Sequence, residues 1–215
     1  MQPTKELYIV TVAMDALALF FSFMLSYVFG ICVVIYIIFS RLYSYRGIRL
    51  KQYPLIGYTT VILNQGSLTF FMVYYIVRQN LSTDFPVAGV IAAAFLIGGF
   101  YPITQIYQHQ SDEQDGVKTI SMLFGKKGTF IFCALMYMVA LGILFFYYNK
   151  SGQIRSFLLL QIFFIPVLVY FIQWFLKVLK NETLADFKHT MQMNWLASTC
   201  TSLAFITLIF LHNIG

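Results

Sequence analysis

Apolar runs of about a membrane's width follow one another along the chain, separated by short polar connections. Punctuation by charge, Pro and Gly predicts seven helical spans, over roughly 6–25, 27–42, 54–78, 86–107, 127–148, 155–177 and 190–212. Each is near the ~20 apolar residues a helix needs to cross about 30 Å of hydrocarbon. The runs are continuous rather than alternating. Helices, not a closed barrel, must therefore satisfy the backbone there. Polar residues gather in the connections 43–53, 79–85, 108–126, 149–154 and 178–189, and the first two spans share a very short turn near Ser26. No internal repeat or low-complexity linker divides the chain. Residues 1–215 read as a single all-α membrane domain.

Composition agrees. With 60% hydrophobic and 19% aromatic residues and a mean hydropathy of +0.76, an ordinary soluble domain is excluded. The start MQPTKELYIV has no cleavable small-residue site and is not a secretory signal. Cys32, Cys133 and Cys200 are far apart and form no CxxC, so no disulfide framework or zinc site is expected. The net charge of +6 reads as topology rather than as a nucleic-acid footprint. With a cytoplasmic N-terminus, eleven of the fourteen Lys and Arg lie on the inner side. Only Arg78, Lys150 and Arg155 lie outside. The connections 43–53, 108–126 and 178–189 then face the cytoplasm.

The first candidate for chemistry is Gln108-His-Gln-Ser-Asp-Glu-Gln-Asp-Gly-Val-Lys-Thr119, which holds three of the chain's eight acidic residues. If the preceding helix continues through it, Gln108 and Asp112 share a face, and Asp112 neighbours Asp115. Carboxylates so placed can share a Mg²⁺, which keeps several waters and binds one or two carboxylates plus phosphate oxygens. A solvated loop explains the same composition. The second candidate is Tyr43-Ser-Tyr-Arg-Gly-Ile-Arg-Leu-Lys51, a basic cluster able to hold a diphosphate or simply to set topology. Asp186 suits a helix N-cap ahead of the last span. Asn64-Gln65 beside Gly66, and Asn194, are polar residues within spans and are expected to face a cavity or another helix. Gln105, Gln161 and Gln173 are expected to join helices on the same ground. Asp15 is an intramembrane carboxylate, with Asn64 or Gln65 as a conceivable partner. The three histidines form no metal-ligand spacing.

The segments Tyr101-Pro-Ile-Thr-Gln-Ile-Tyr-Gln-His-Gln-Ser-Asp112 and Gly116-Val-Lys-Thr-Ile-Ser-Met-Leu-Phe-Gly125 resemble the second Asp-rich motif of the UbiA superfamily of intramembrane prenyltransferases. Tyr43-Ser44 through Arg49-Leu-Lys51, with Pro54 following, is similar to that family's loop after its fourth helix. The resemblance implies that the seven spans match the third to ninth of nine helices. The family's first two helices and first motif, NDxxDxxxD, have no counterpart in this sequence, which implies an N-terminally truncated member. Position −8 from Gly116 is Gln108 where the family usually has Asp. By resemblance, Mg²⁺ would be bound by Asp112 and Asp115 with Gln108 in a weaker ligand's place. The diphosphate would be held by Lys118, Arg49, Lys51 and Tyr45, and Asn64, Gln65 and Asn194 are further pocket candidates. The implied reaction is transfer of an isoprenoid group from a prenyl diphosphate to an aromatic or other lipophilic acceptor. The first motif being absent, the implied activity is impaired. The implied location is a bacterial inner membrane. A non-catalytic relative that binds an isoprenoid or a partner, and a small transporter, are the alternatives. A transporter would be expected to carry more charge in mid-membrane than Asp15 alone.

Overall fold

The computed structural model describes residues 5–78 and 85–214, with side chains as far as Leu211. Among them are seven membrane-length helices and no strand. These are α1 (Lys5–Leu25), α2 (Tyr27–Ser44), α3 (Pro54–Arg78), α4 (Val87–Gln114), α5 (Ile120–Lys150), α6 (Ile154–Lys180) and α7 (Phe187–Ile214). Each packs chiefly against its neighbours in the chain. The protein is therefore an integral membrane bundle. The connection 79–84 lies outside the described residues.

The order of burial is uneven. α1 buries only Ser22, whereas α4 buries Ala92, Gly98, Gly99, Pro102, Ile103 and Gln105. Water does not drive helices together inside a bilayer, so close packing of small residues must. The α4 stripe of Ala and Gly supplies that contact to α3 and α5. A second packing centre joins α4 to α7 around Phe130. Its ring lies 4.8 Å from Trp174, 5.2 Å from Phe175 and 5.4 Å from Phe171. The Trp174 indole donates to the Leu184 carbonyl at 2.8 Å, tying the 181–186 connection down onto α6.

Two helices depart from regular geometry. α3 widens into a π-helix over Ile62–Leu68, and the Thr69 hydroxyl donates to the Asn64 carbonyl at 3.0 Å. α5 is broken at Gly125, whose φ of 66° lies outside the helical region, so Ile120 to Phe124 form a separate turn.

Four expectations are corrected. The stretch 108–126 is mostly helical: α4 runs through the acidic motif to Gln114, and α5 begins at Ile120. Hydropathy ends near 107 because the motif is polar, but a helix continues while its backbone is satisfied. Asp15 pairs with Arg41 of the antiparallel α2, not with an amide of α3. A full countercharge satisfies an intramembrane carboxylate better than an amide dipole does. Gln105 hydrogen-bonds Tyr101 on its own helix, at 2.7 Å. Among the described residues, neither Gln161 nor Gln173 makes a hydrogen bond to another helix. The Asp186 reading as a helix start matches the structure: its carboxylate accepts the His189 backbone N–H at 2.8 Å. Partial burial works against its ionised form, but the His189 backbone and ring hydrogen bonds outweigh that. They hold the carboxyl below the usual range.

Candidate functional site

The connections after α2, α4 and α6 meet at one end of the bundle. Arg49 joins the first to the second, and Lys126 and Lys127, just past the break in α5, reach the third. Lys126 donates to the Glu182 carbonyl at 3.0 Å, and Lys127 pairs with its carboxylate at 3.1 Å.

The acidic motif owes its shape to the way α4 ends. Gly116 has a φ of 68°, the left-handed conformation that glycine adopts at no steric cost. Its N–H donates to the Glu113 carbonyl at 3.0 Å, and that of Val117 donates to the Asp112 carbonyl at 2.8 Å. This is a Schellman termination, with Val117 buried as its hydrophobic anchor. The termination fixes Asp112 in the last turn of α4, where the residue is only 8% exposed. The charged groups acting on it are Lys51, Asp115 and Arg49. Tyr43 and Tyr101 are within its electrostatic reach.

Arg49 is the hinge between the two loops. Its backbone is left-handed at φ 44°, an uncommon state for a residue with a side chain. Its guanidinium donates to the Asp115 carbonyl at 3.1 Å and to the Asp115 carboxylate at 3.0 Å. Lys51 sits in the short 3₁₀ turn that follows. There α3 passes so close that a Cβ on Gly57 would lie 3.1 Å from the Lys51 Cα. Beneath these charges the hydroxyls of Tyr43 and Tyr101 hydrogen-bond, and Tyr101 also accepts from the Gln105 amide. The side-chain oxygen of Gln105 is buried with no partner among the described residues.

Asp112, Asp115, Arg49 and Lys51 are thus brought together. Tyr45 and Lys118 are exposed, and their side chains make no hydrogen bond or ion pair among the described residues. The Gln108 side-chain amide donates to the Tyr107 hydroxyl at 2.9 Å, and its side-chain oxygen has no donor among the described residues. Asn64 is buried in the π-turn, Gln65 is exposed, and the buried side-chain oxygen of Asn194 has no partner among the described residues. Sequence reasoning missed Tyr43, Tyr101 and His109. Only their proximity in the folded chain marks them. The His109 ring contacts the Ser121 hydroxyl at 2.8 Å, and Ser121 contacts Thr129 at 3.0 Å, so the motif is bolted to α5.

Thr119 caps the turn that follows. Its hydroxyl accepts the Met122 N–H at 3.3 Å. Thr119→Ala is expected to destabilise the protein by about 1 kcal/mol, whereas Thr119→Ser is nearly neutral. Thermal unfolding in detergent checks this, and equal midpoints for the Ala and Ser variants would refute the cap.

The donor chemistry fits a metal that arrives with its substrate. No group of three His, Cys, Asp or Glu among the described residues makes a closed cage. Mg²⁺ does not need one, because it uses one or two carboxylates and takes its other oxygens from water and phosphate. The Asp112 carboxylate receives no hydrogen bond from the described residues, so its oxygens are uncommitted. That of Asp115 is committed to Arg49.

A family model described as the UbiA prenyltransferase family matches residues 3–211, nearly the whole chain. No curated protein and no solved structure matches it.

Proposed function

This chain belongs to the UbiA prenyltransferase family, and on that premise we propose that its inner-end cluster binds a prenyl diphosphate for Mg²⁺-dependent transfer to a lipophilic acceptor. The observation that carries the reading is one buried carboxylate that no described residue hydrogen-bonds, Asp112, at the helix end that Arg49 ties down through Asp115 and within the electrostatic influence of Arg49 and Lys51. Members of the family generally use Mg²⁺ through Asp-rich motifs. Bound here, the metal would neutralise diphosphate charge as the leaving group departs.

Each residue then has a task. Asp112 holds the metal, with the Gln108 side-chain oxygen as a weaker candidate ligand. Arg49 and Lys51 bind diphosphate oxygens; a guanidinium suits that geometry by its paired donors. Asp115 positions Arg49, and the two hydrogen bonds it receives support that role. Tyr43 offers a hydroxyl at the edge of the cluster, where the sequence pointed to Tyr45. The apolar bundle shelters the isoprenoid chain and the acceptor from water. The eleven-to-three distribution of positive charge supports a cytoplasmic position for the cluster.

These 215 residues contain one Asp-rich motif, and a diphosphate is better neutralised by two. Residues 1–215 alone are therefore expected to transfer slowly. The test is diphosphate release from farnesyl diphosphate by the purified chain, with and without Mg²⁺. Slow release that requires Mg²⁺ is expected. Release of equal rate with a chelator present would sink the metal reading. Binding of farnesyl diphosphate without any turnover would instead favour the non-catalytic alternative.

A further inference from the structure

The polar side chains beneath the acidic cluster form an ordered chain. Tyr101 and Gln105 lie one turn apart on α4 and share a face. The Gln105 amide nitrogen donates to the Tyr101 hydroxyl at 2.7 Å, and that hydroxyl meets the hydroxyl of Tyr43 on α2. Gln105 is 7% exposed, whereas both tyrosines are half-buried.

The direction of the chain follows from its protons. Each phenol has one to give. Tyr101 receives the Gln105 N–H, so its own proton cannot return to that nitrogen. Its remaining partner among the described residues is the Tyr43 hydroxyl, and Tyr101 therefore donates to Tyr43. The Tyr43 proton is then unspent, because the Tyr43 side chain makes no other hydrogen bond among the described residues. Asp112 lies within electrostatic reach of Tyr43, and Arg49 and Lys51 act on Asp112 in turn. An anionic oxygen drawn in by those cations is the acceptor that suits this proton.

Glutamine at 105 has a cost. Its side-chain oxygen is buried with no partner among the described residues, and an apolar side chain of similar size would avoid that penalty. Turning the amide over would not help, because both N–H groups would then lack an acceptor. What the amide gains is a fixed direction for two hydroxyls. We propose that Gln105 and Tyr101 are positioning residues that turn the Tyr43 proton outward, so that Tyr43 donates a hydrogen bond to an oxygen of the bound diphosphate. This rests on the diphosphate reading of the cluster. When the carbon–oxygen bond to the prenyl group breaks, the electron pair stays on the diphosphate. The Tyr43 hydrogen bond strengthens as that charge grows, and the proton remains on Tyr43.

The test is the dissociation constant of farnesyl diphosphate, measured with Mg²⁺ on the full chain in detergent. Tyr43→Phe is expected to weaken binding about tenfold, the worth of one hydrogen bond to a charged group. Gln105→Leu is expected to weaken it about threefold, because Tyr101 then draws the Tyr43 proton inward, and to add nothing in a Tyr43→Phe background. A merely structural Gln105 would cost the same in both backgrounds, and that result overturns the relay. If Tyr43→Phe does not fold, the same cycle run with Tyr101→Phe decides, since Gln105 acts only through Tyr101. A wild-type chain that does not bind farnesyl diphosphate would remove the diphosphate reading and the relay with it. Wild-type binding that Tyr43→Phe leaves unchanged overturns the relay alone.

Discussion

Asp112→Asn is expected to weaken Mg²⁺-dependent binding of a prenyl diphosphate, and any turnover, by about a hundredfold. The magnitude is that of removing one fixed electrostatic contact to a developing or bound charge. The substitution keeps the side chain's volume and one neutral oxygen but removes the anionic donor. Folding should not suffer: the carboxylate accepts no hydrogen bond from the described residues, so nothing in the protein loses a partner. The unfolding temperature is expected to stay the same or rise slightly, because a buried charge is replaced by an amide. Glu113→Gln is the control. Glu113 lies one residue away but is exposed, and its removal is expected to change neither binding nor stability. Titration of farnesyl diphosphate against the purified proteins at several Mg²⁺ concentrations reads both effects. If Asp112→Asn kept the wild-type Mg²⁺ dependence, Asp112 would not be the ligand. The acidic end would then be only a well-made helix terminus.

Gly66→Val is expected to be the most disruptive change in the helical frame. A Cβ at Gly66 would lie 2.8 Å from the Ala94 Cα and 2.9 Å from the Ala93 carbonyl oxygen. Both are backbone atoms of α4 and cannot rotate away. Overpacking of this kind costs about 1–3 kcal/mol, and valine adds two methyl groups beyond the Cβ. The π-turn cannot absorb the strain cheaply. Asn64 and Ser67 on either side are tied to neighbouring helices, through the Tyr36 carbonyl at 3.2 Å and the Val90 carbonyl at 3.2 Å. The expected result is a lowered unfolding midpoint in detergent, with Gly66→Ala falling between wild type and valine. Gln65→Val, at an exposed position of the same turn, is expected to be tolerated. A Gly66→Val protein as stable as wild type would show that α3 and α4 are free to separate there.

Much of this molecule was legible before it was folded. Seven spans follow from hydropathy because a bilayer demands runs of a set length, and a helix is the structure that satisfies its backbone without neighbours. The acidic motif and the basic loop stand out in a chain that is only 10% charged.

Hydropathy failed where polarity and helicity part company. The acidic motif is polar yet helical, so its helix is longer than its apolar run, and α5 starts seven residues before the predicted span. The partners of polar side chains were beyond the sequence as well. Asp15 could meet any group at its depth; the antiparallel packing of α1 on α2 selects Arg41. Asp115 looked like a companion ligand to Asp112 at helical spacing. Arg49 reaches it from a loop 66 positions away in the chain, and spacing along one helix carries no information about that. Tyr43 and Tyr45 are two residues apart in one segment, and only the end of α2 decides which one turns inward. Local patterns record what each segment must do to be stable in a bilayer. Which charges and hydroxyls converge depends on distances between segments, and those exist only once the helices have packed.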